Sequence, residues 1–276
     1  MKVLITGATG LIGEAIVKQC HKQGISVHYL TTSKSKLNQD KLFKGFYWNP
    51  STGEIDSNCF EGVDAIINLA GSSISERWTK QQKANILQSR LLSLSLLKQS
   101  LKQQNHTVRH LISASGIGVY PSSMTNYYEE TFPEISPTFL GDVVKQWEAS
   151  ADDFSSLGIK VSKIRIGLVL SKDGGALPQM LKPIKFWMGA AFGSGEHWQS
   201  WIHITDLARL FIFVLNQQLE GTYNAVAPNP VTNAQFIKAI AKTLHKPLIL
   251  PNIPRIFMKL ILGEMHLLLF ESQRVS

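Results

Sequence analysis

Cysteine is nearly absent from this chain: Cys20 and Cys59 are the only two in 276 residues. They stand too far apart to form a metal or redox motif, and two reduced, partly buried thiols are expected. No apolar run reaches the length that crosses a bilayer. The nearest, Ile256 to Phe270, is interrupted by Lys259, Gly263, Glu264 and His266. Blocks of like charge are missing too. The 28 Lys+Arg exceed the 20 Asp+Glu for a formal charge of +8, but they are scattered along the chain. The excess therefore reads as solubility with some attraction for phosphate-bearing ligands, and no nucleic-acid partner is expected; with no spanning run, no membrane partner is expected either. No histidine has an acid or cysteine at metal-ligand spacing, so no metal is expected. The chain begins directly in a strand-like run, which leaves no room for a signal peptide and predicts a cytoplasmic setting.

What is present is an ordinary globular composition, 44% hydrophobic and 17% charged, enough for one large domain with a smaller lobe. Strand-like and helical periodicities alternate through the first two thirds. Strands are predicted at Lys2–Thr6, Ser26–Thr31, Gly45–Trp48, Asp64–Leu69, Arg109–Ala114 and Lys160–Leu170. Helices are predicted at Leu11–Gln23, Thr79–Gln104 and Leu140–Leu157. Such alternation predicts an α/β fold, a doubly wound parallel sheet covered by helices on both faces. After Leu170 the pattern changes to polar, glycine-bearing and aromatic sequence. The expected organisation is a dinucleotide-binding domain over 1–170, to which the chain returns at about 202–226. Residues 171–201 and 227–276 then make a smaller C-terminal α+β lobe.

The first strand runs into Gly7-Ala8-Thr9-Gly10-Leu11-Ile12-Gly13 and then into a helix. Strand, tight turn and helix is the arrangement that sets a pyrophosphate against backbone N–H groups at a helix N-terminus. Gly7 permits the turn, Gly10 lets the backbone approach the phosphates, and Gly13 lets helix and strand pack closely. At the end of the second strand, about 20 residues on, an NAD binder carries a carboxylate for the ribose 2′-hydroxyl. Here the chain reads Thr31-Thr32-Ser33-Lys34, with Lys36 behind and no acid. Hydroxyl and ammonium groups can receive a 2′-phosphate that a carboxylate would repel, so NADP is the expected cofactor.

These motifs, together with Asn68-Leu69-Ala70-Gly71, the Ser115…Tyr120 strand end and Ile202-His203-Ile204-Thr205-Asp206-Leu207, resemble the extended or atypical short-chain dehydrogenase/reductases. Arg77-Trp78, Ser89-Arg90, Trp147-Glu148, Gly174-Gly175-Ala176-Leu177, Gly193-Ser194-Gly195, Ser200-Trp201 and Ala227-Pro228-Asn229-Pro230 narrow the likeness. They resemble the sparsely characterised epimerase family, nucleoside-diphosphate-sugar epimerase-like proteins. Gly263-Glu264-Met265 continues the match. The resemblance implies a Rossmann-type sheet. It places Gly7, Thr9, Gly10, Leu11, Ile12 and Gly13 at the pyrophosphate, and Thr31 and Thr32 at the adenosine ribose phosphate. Leu69, Ala70 and Gly71 come beside the cofactor, with Asn85 and Arg90 approaching from the long helix. Relatives commonly carry an arginine at the place of Thr32 and continue past Gln273-Arg274-Val275. A weaker grip on the 2′-phosphate and an early end to the smaller lobe are therefore expected.

The usual catalytic signature of these enzymes, Tyr-x-x-x-Lys on a helix, is missing. No tyrosine has a lysine four residues on, and counting from Trp147-Glu148 puts Phe139 and Val143 in the pair's place. Neither moves a proton. Ser115 and Tyr120 remain as candidate catalytic hydroxyls, able to polarise a carbonyl or equally to serve only the strand end. Trp187, His197, Trp198, Trp201 and His203 form a second dense group, readable as a substrate wall or as packing for the smaller lobe. Two functions stay open: an NADP-dependent oxidoreductase or epimerase-like enzyme acting on a small molecule, and a cofactor-bound regulatory protein without catalysis. A cell-division-inhibitor label carried by some members of the resembling subgroup suits the second.

Overall fold

Parallel strands connected by helices dominate a computed structural model that describes residues 1–276. The first half contributes β1 (Lys2–Thr6), α1 (Leu11–Lys22), β2 (Ser26–Thr31), β3 (Phe43–Asn49), β4 (Glu54–Ile55) and β5 (Ala65–Asn68). After these come α2 (Lys80–Lys102), β6 (His110–Gly116), β7 (Tyr127–Tyr128), α3 (Phe139–Asp152) and β8 (Lys160–Ile166). The centres of β1 (Val3, Leu4, Ile5) and β5 (Ala65, Ile66, Ile67) are buried apolar runs, and β6 is buried from His110 to Ser115, as strands covered on both faces must be. Thr79 caps α2 by accepting the Gln82 N–H at 3.1 Å.

The main sheet has the order β13-β8-β6-β5-β1-β2-β3-β4, with every pairing parallel except the terminal β4. Strand order runs outward in one direction from β1 through β2 and β3, and in the other from β5 through β6. The ends of β1 and β5 are therefore the topological switch point, where ligands bind in open sheets of this kind.

The expected Lys160–Leu170 strand is two strands. β8 ends at Ile166, and β9 (Leu168–Ser171) leaves the main sheet to pair with β10 (Gly174–Gly175) and β12 (Trp201–His203). The break falls at Gly167, where a Cβ would stand 2.6 Å from the Ser200 carbonyl oxygen. The stretch after it holds a helix not foreseen from sequence, α4 (Ala176–Lys185), followed by β11 (Trp198–Gln199). Next, α5 (Ile204–Gln217) packs on α1, and β13 (Gly221–Ala225) closes the sheet edge beside β8. The remainder is β14 (Val231–Thr232), α6 (Asn233–Thr243), α7 (Arg255–Leu262), α8 (Leu267–Phe270) and β15 (Arg274–Val275). β15 lies beside β7, and Ser200 Oγ donates to the Gln273 carbonyl at 2.9 Å, tying the C-terminal strand to the turn before β12. Cys20 and Cys59 are free and buried.

Candidate functional site

The glycine turn occupies the switch point. Gly7 has φ of +70°, Gly10 N–H donates to the Gly7 carbonyl at 3.0 Å, and α1 starts at Leu11 without a side-chain cap. The first N–H groups of α1 thus face the cleft with no side-chain acceptor. A Cβ on Gly13 would stand 2.2 Å from the Gly7 oxygen and 2.6 Å from Ala8 Cα, so only glycine permits this helix-on-strand contact. A Cβ on Gly10 would meet only the Gly7 oxygen, at 3.4 Å. Space is open there. The two glycines have different tasks, one in packing and one facing whatever enters the cleft.

The β5 end is bound to the turn by one hydroxyl. Thr6 Oγ1 donates to Asn68 Oδ1 at 2.8 Å and accepts the Leu69 and Ala70 N–H groups, each at 3.0 Å. Asn68 Nδ2 then donates to Ser113 Oγ at 3.2 Å, which fixes β6 in the same register. Leu69, Ala70 and Gly71 are in this way brought against the glycine turn. Arg90 joins them. Its guanidinium donates to the Ile86 carbonyl at 2.7 Å and the Ser72 carbonyl at 3.3 Å, and lies 4.8 Å from the Trp147 ring centre. A Cβ on Gly71 would come within 2.9 Å of Arg90 Cζ. No carboxylate pairs with Arg90, and burial lowers its pKa to about 10. A desolvated guanidinium without a counter-ion is suited to an anionic ligand.

The other expected contacts divide. Asn85 is exposed on α2, and its side chain bonds to Gln81 at 2.9 Å and Gln82 at 3.5 Å of its own helix. At the end of β2, Thr31 is buried with its hydroxyl accepting the Ser33 N–H at 3.1 Å, whereas Thr32 is exposed. Lys34 extends over the Tyr47 ring at 4.9 Å. No Asp or Glu lies between Glu14 and Asp40 in the chain, so none adjoins Thr31–Lys34 in sequence.

Ser115 and Tyr120 are brought together, through a buried relay that the sequence did not reveal. Ser115 Oγ donates to Glu148 Oε1 at 2.6 Å. Arg165 forks onto the same carboxylate, with Nε to Oε1 at 2.8 Å and Nη2 to Oε2 at 2.9 Å. Its Nη1 donates to the Tyr120 hydroxyl at 2.9 Å, which in turn donates to Asn224 Oδ1 at 2.8 Å. Burial pushes the Glu148 carboxyl up, but the Arg165 guanidinium and the Ser115 hydroxyl outweigh it and hold the pKa below the usual range. Burial likewise raises the Tyr120 phenol, and the bond from Arg165 only partly offsets that. Tyr120 has no exposed surface and Ser115 very little. The Tyr120 hydroxyl both donates and accepts inside the protein, and the Ser115 hydroxyl donates to Glu148.

The bond from Ser115 to Glu148 also fixes the rotation of α3. Residues four and eight positions before Glu148, Val144 and Leu140, share its face. Val144 looks at the end of β6, where a Cβ on Gly116 would lie 3.8 Å from its Cγ2, and Leu140 at the turn after it, where a Cβ on Gly118 would lie 3.3 Å from Leu140 Cβ. Phe139 and Val143, the pair expected there, sit one position round with Trp147. Phe139 stacks edge-on against Trp78 with ring centres 5.3 Å apart, and Val143 packs with Trp78 and Ile86. The correction leaves the chemistry unchanged, because Leu140 and Val144 are as unable to move a proton as Phe139 and Val143. Lys83 approaches from α2, its ammonium 5.1 Å from the Phe139 ring centre and paired with Glu264.

The aromatic and histidine group does not converge. Trp187 is exposed at a tip, Trp198 Nε1 donates to the Met124 carbonyl at 3.0 Å, and Trp201 Nε1 donates to the Asn229 carbonyl at 3.2 Å. His203 Nδ1 accepts the Thr205 N–H at 3.2 Å, so His203 itself caps α5 while Asp206 pairs with Arg209. His197 is buried, and burial lowers its pKa.

A model of the NAD dependent epimerase/dehydratase family matches residues 3–226. An epimerase family protein of Staphylococcus aureus is 35% identical over 273 residues, covering 99% of this chain and 90% of its own length. One from Staphylococcus haemolyticus is 36% identical over the same span and shares. Among solved structures, the human epimerase family protein SDR39U1 (isoform 2) with NADPH superposes with a TM-score of 0.86 at 28% identity. That match covers 100% of this chain and 90% of the human one. A nucleoside-diphosphate sugar epimerase from Corynebacterium glutamicum gives 0.78 at 29%, covering 100% of this chain and 53% of that one.

Proposed function

This chain belongs to the NAD dependent epimerase/dehydratase family, and from that premise we propose that it binds NADP(H) at the switch point and lacks tyrosine-driven proton transfer. The observation that carries the reading is a contrast within one cleft. The turn at Gly7–Gly13, the β5 end and the unpaired Arg90 suit a pyrophosphate, while the α3 face one and two turns before Glu148 is the apolar pair Val144 and Leu140. When bound, the nicotinamide supplies a hydride donor or acceptor. The residues around it in this chain hold and orient the dinucleotide, and neither Leu140 nor Val144 passes a proton. A regulatory or binding role, in which the protein reads the cofactor, fits this best.

NADP is favoured over NAD by Thr31, Thr32, Ser33 and Lys34, which offer hydroxyls and an ammonium and no acid, and by the NADPH of the human relative. Calorimetric titration with both dinucleotides tests this. Tighter binding of NADPH is expected, with Lys34→Glu narrowing the difference; tighter binding of NADH by the unaltered protein overturns the assignment. The proposed setting is cytoplasmic, and no helix is long and apolar enough to cross a membrane.

A catalytic reading, an oxidoreductase or epimerase-like enzyme with a small-molecule substrate, is favoured by one observation. Lys83, paired with Glu264, is a titratable group beside Phe139, on the row of α3 that meets α2 and one residue before Leu140. Hydride transfer to a panel of ketones and sugar nucleotides that is lost in Lys83→Met would support that reading over the first.

A further inference from the structure

The smaller lobe has an uneven surface. Between Gly174 and Gly195, and again between Gly221 and Gly263, the chain contains no Asp or Glu. Its lysines remain, with Lys182, Lys185 and Lys259 exposed. Apolar side chains protrude among them. On α7, Ile256, Phe257, Leu260 and Ile261 form one face by their spacing and are 57% to 72% exposed. At the end of α4, Phe186, Trp187 and Met188 are 49% to 65% exposed. Leu248, Ile249 and Leu250 are exposed as well.

These segments adjoin one another. A Cβ on Gly189 would touch Leu248, 2.9 Å away, and the Ile253 N–H donates to the Ala191 carbonyl at 2.8 Å, just before α7 begins. Trp187 has φ of +64°, a left-handed backbone that a bulky side chain adopts only under constraint. The Lys246 ammonium lies 4.6 Å over its ring. The backbone is thus held in a strained form that projects an indole outward with a cation on its face.

We infer that this lobe docks on an anionic lipid surface. Side chains so exposed are free to insert into the headgroup boundary of a bilayer. The lysines, with no acid within their own segments, supply the complementary charge, each Lys near such a surface adding roughly fivefold to partitioning. No helix is long and apolar enough to span a bilayer, but a face lying on the surface needs no span. Docking here leaves the glycine turn untouched, so a dinucleotide-binding protein would be held at a lipid surface by its other lobe.

Flotation of the full chain with phosphatidylcholine vesicles, with and without phosphatidylglycerol, tests the inference. Binding to the anionic vesicles alone is expected, weakening with added salt. Phe257→Ser with Leu260→Ser should reduce it by at least about tenfold, given the apolar area withdrawn from the bilayer. Lys182→Glu with Lys185→Glu should reduce it comparably. All four residues are exposed, and unchanged thermal melts will show that the variants fold. No flotation, equal flotation with neutral vesicles, or flotation indifferent to the α7 variant would each overturn the proposal. So would a wild-type dimer in sedimentation that fails to float and is made monomeric by the same α7 variant, since the face would then be an interface between copies.

Discussion

Gly10 and Gly13 belong to one motif, yet their substitution should have opposite consequences. In Gly13→Ala the new methyl would lie 2.2 Å from the Gly7 oxygen, about 1 Å inside ordinary contact, and 2.6 Å from Ala8 Cα. Both obstacles are backbone, so no rotamer change relieves the clash and α1 must shift off β1. Overpacking of this kind costs on the order of 3 kcal/mol, or a fall in Tm of roughly 6–12 °C for a chain of this size. In Gly10→Val the Cβ meets only the Gly7 oxygen at 3.4 Å and the backbone is extended, with φ of −93°. The apo protein should lose about 1 kcal/mol or less, chiefly from a poorer helix cap. The valine would project into the space beside the first turn of α1, and NADPH affinity should fall by on the order of a hundredfold, about 2.7 kcal/mol. Thermal melts and calorimetric titration of both variants separate the effects. A stable Gly10→Val protein that keeps its NADPH affinity would show that the turn is only structural. An undisturbed Tm in Gly13→Ala would refute the packing argument.

Three other outcomes follow from the relay and the α3 face. Glu148→Ala leaves the Arg165 guanidinium buried and unpaired and should cost about 3–5 kcal/mol in urea unfolding at neutral pH. Because the folded pKa of Glu148 lies below the reference 4.5, its stabilisation is present above that value and is lost as pH falls through the folded pKa. The deficit of the variant should therefore shrink in acid, and a deficit constant with pH would contradict the ion-pair assignment. Tyr120→Phe removes a hydroxyl bonded to both Arg165 and Asn224 and should destabilise by about 1–3 kcal/mol without changing NADPH affinity. Loss of an activity with stability intact would instead make Tyr120 catalytic. Leu140→Tyr with Val144→Lys should raise ketone or sugar-nucleotide turnover more than Phe139→Tyr with Val143→Lys, up to the 10²–10⁴-fold typical of a positioned general acid. The reverse order would show that α3 has been read with the wrong face toward β6.

The parts legible in the sequence are those encoded by neighbours along the chain. The apolar runs of β1, β5 and β6 mark the sheet, the spacing of Gly7, Gly10 and Gly13 marks the turn, and the acid-free end of β2 is a run of a few residues. What stayed hidden depends on contacts between distant positions. The break at Gly167 is imposed by the Ser200 carbonyl, and α4 was obscured by Pro178 and Pro183 within its own sequence. The relay joins Ser115 to Glu148 across 33 residues and Tyr120 to Asn224 across 104, pairings that no local pattern announces. The α3 face is the instructive case. One residue along a helix turns a side chain through about 100°, so counting back from the pair Trp147-Glu148 gives two answers according to which member faces β6. Counting from Trp147 leads to Val143 and Phe139, the row that meets α2, where Arg90 stacks on Trp147. Counting from Glu148 leads to Val144 and Leu140. The polar residue was the better guide: a carboxylate deep in an otherwise apolar helix face needs a partner, and the nearest strand end offered Ser115. The same need drew in Arg165 and through it Tyr120. The hydroxyls that the sequence offered as catalysts are thereby tied into the support of the helix above them.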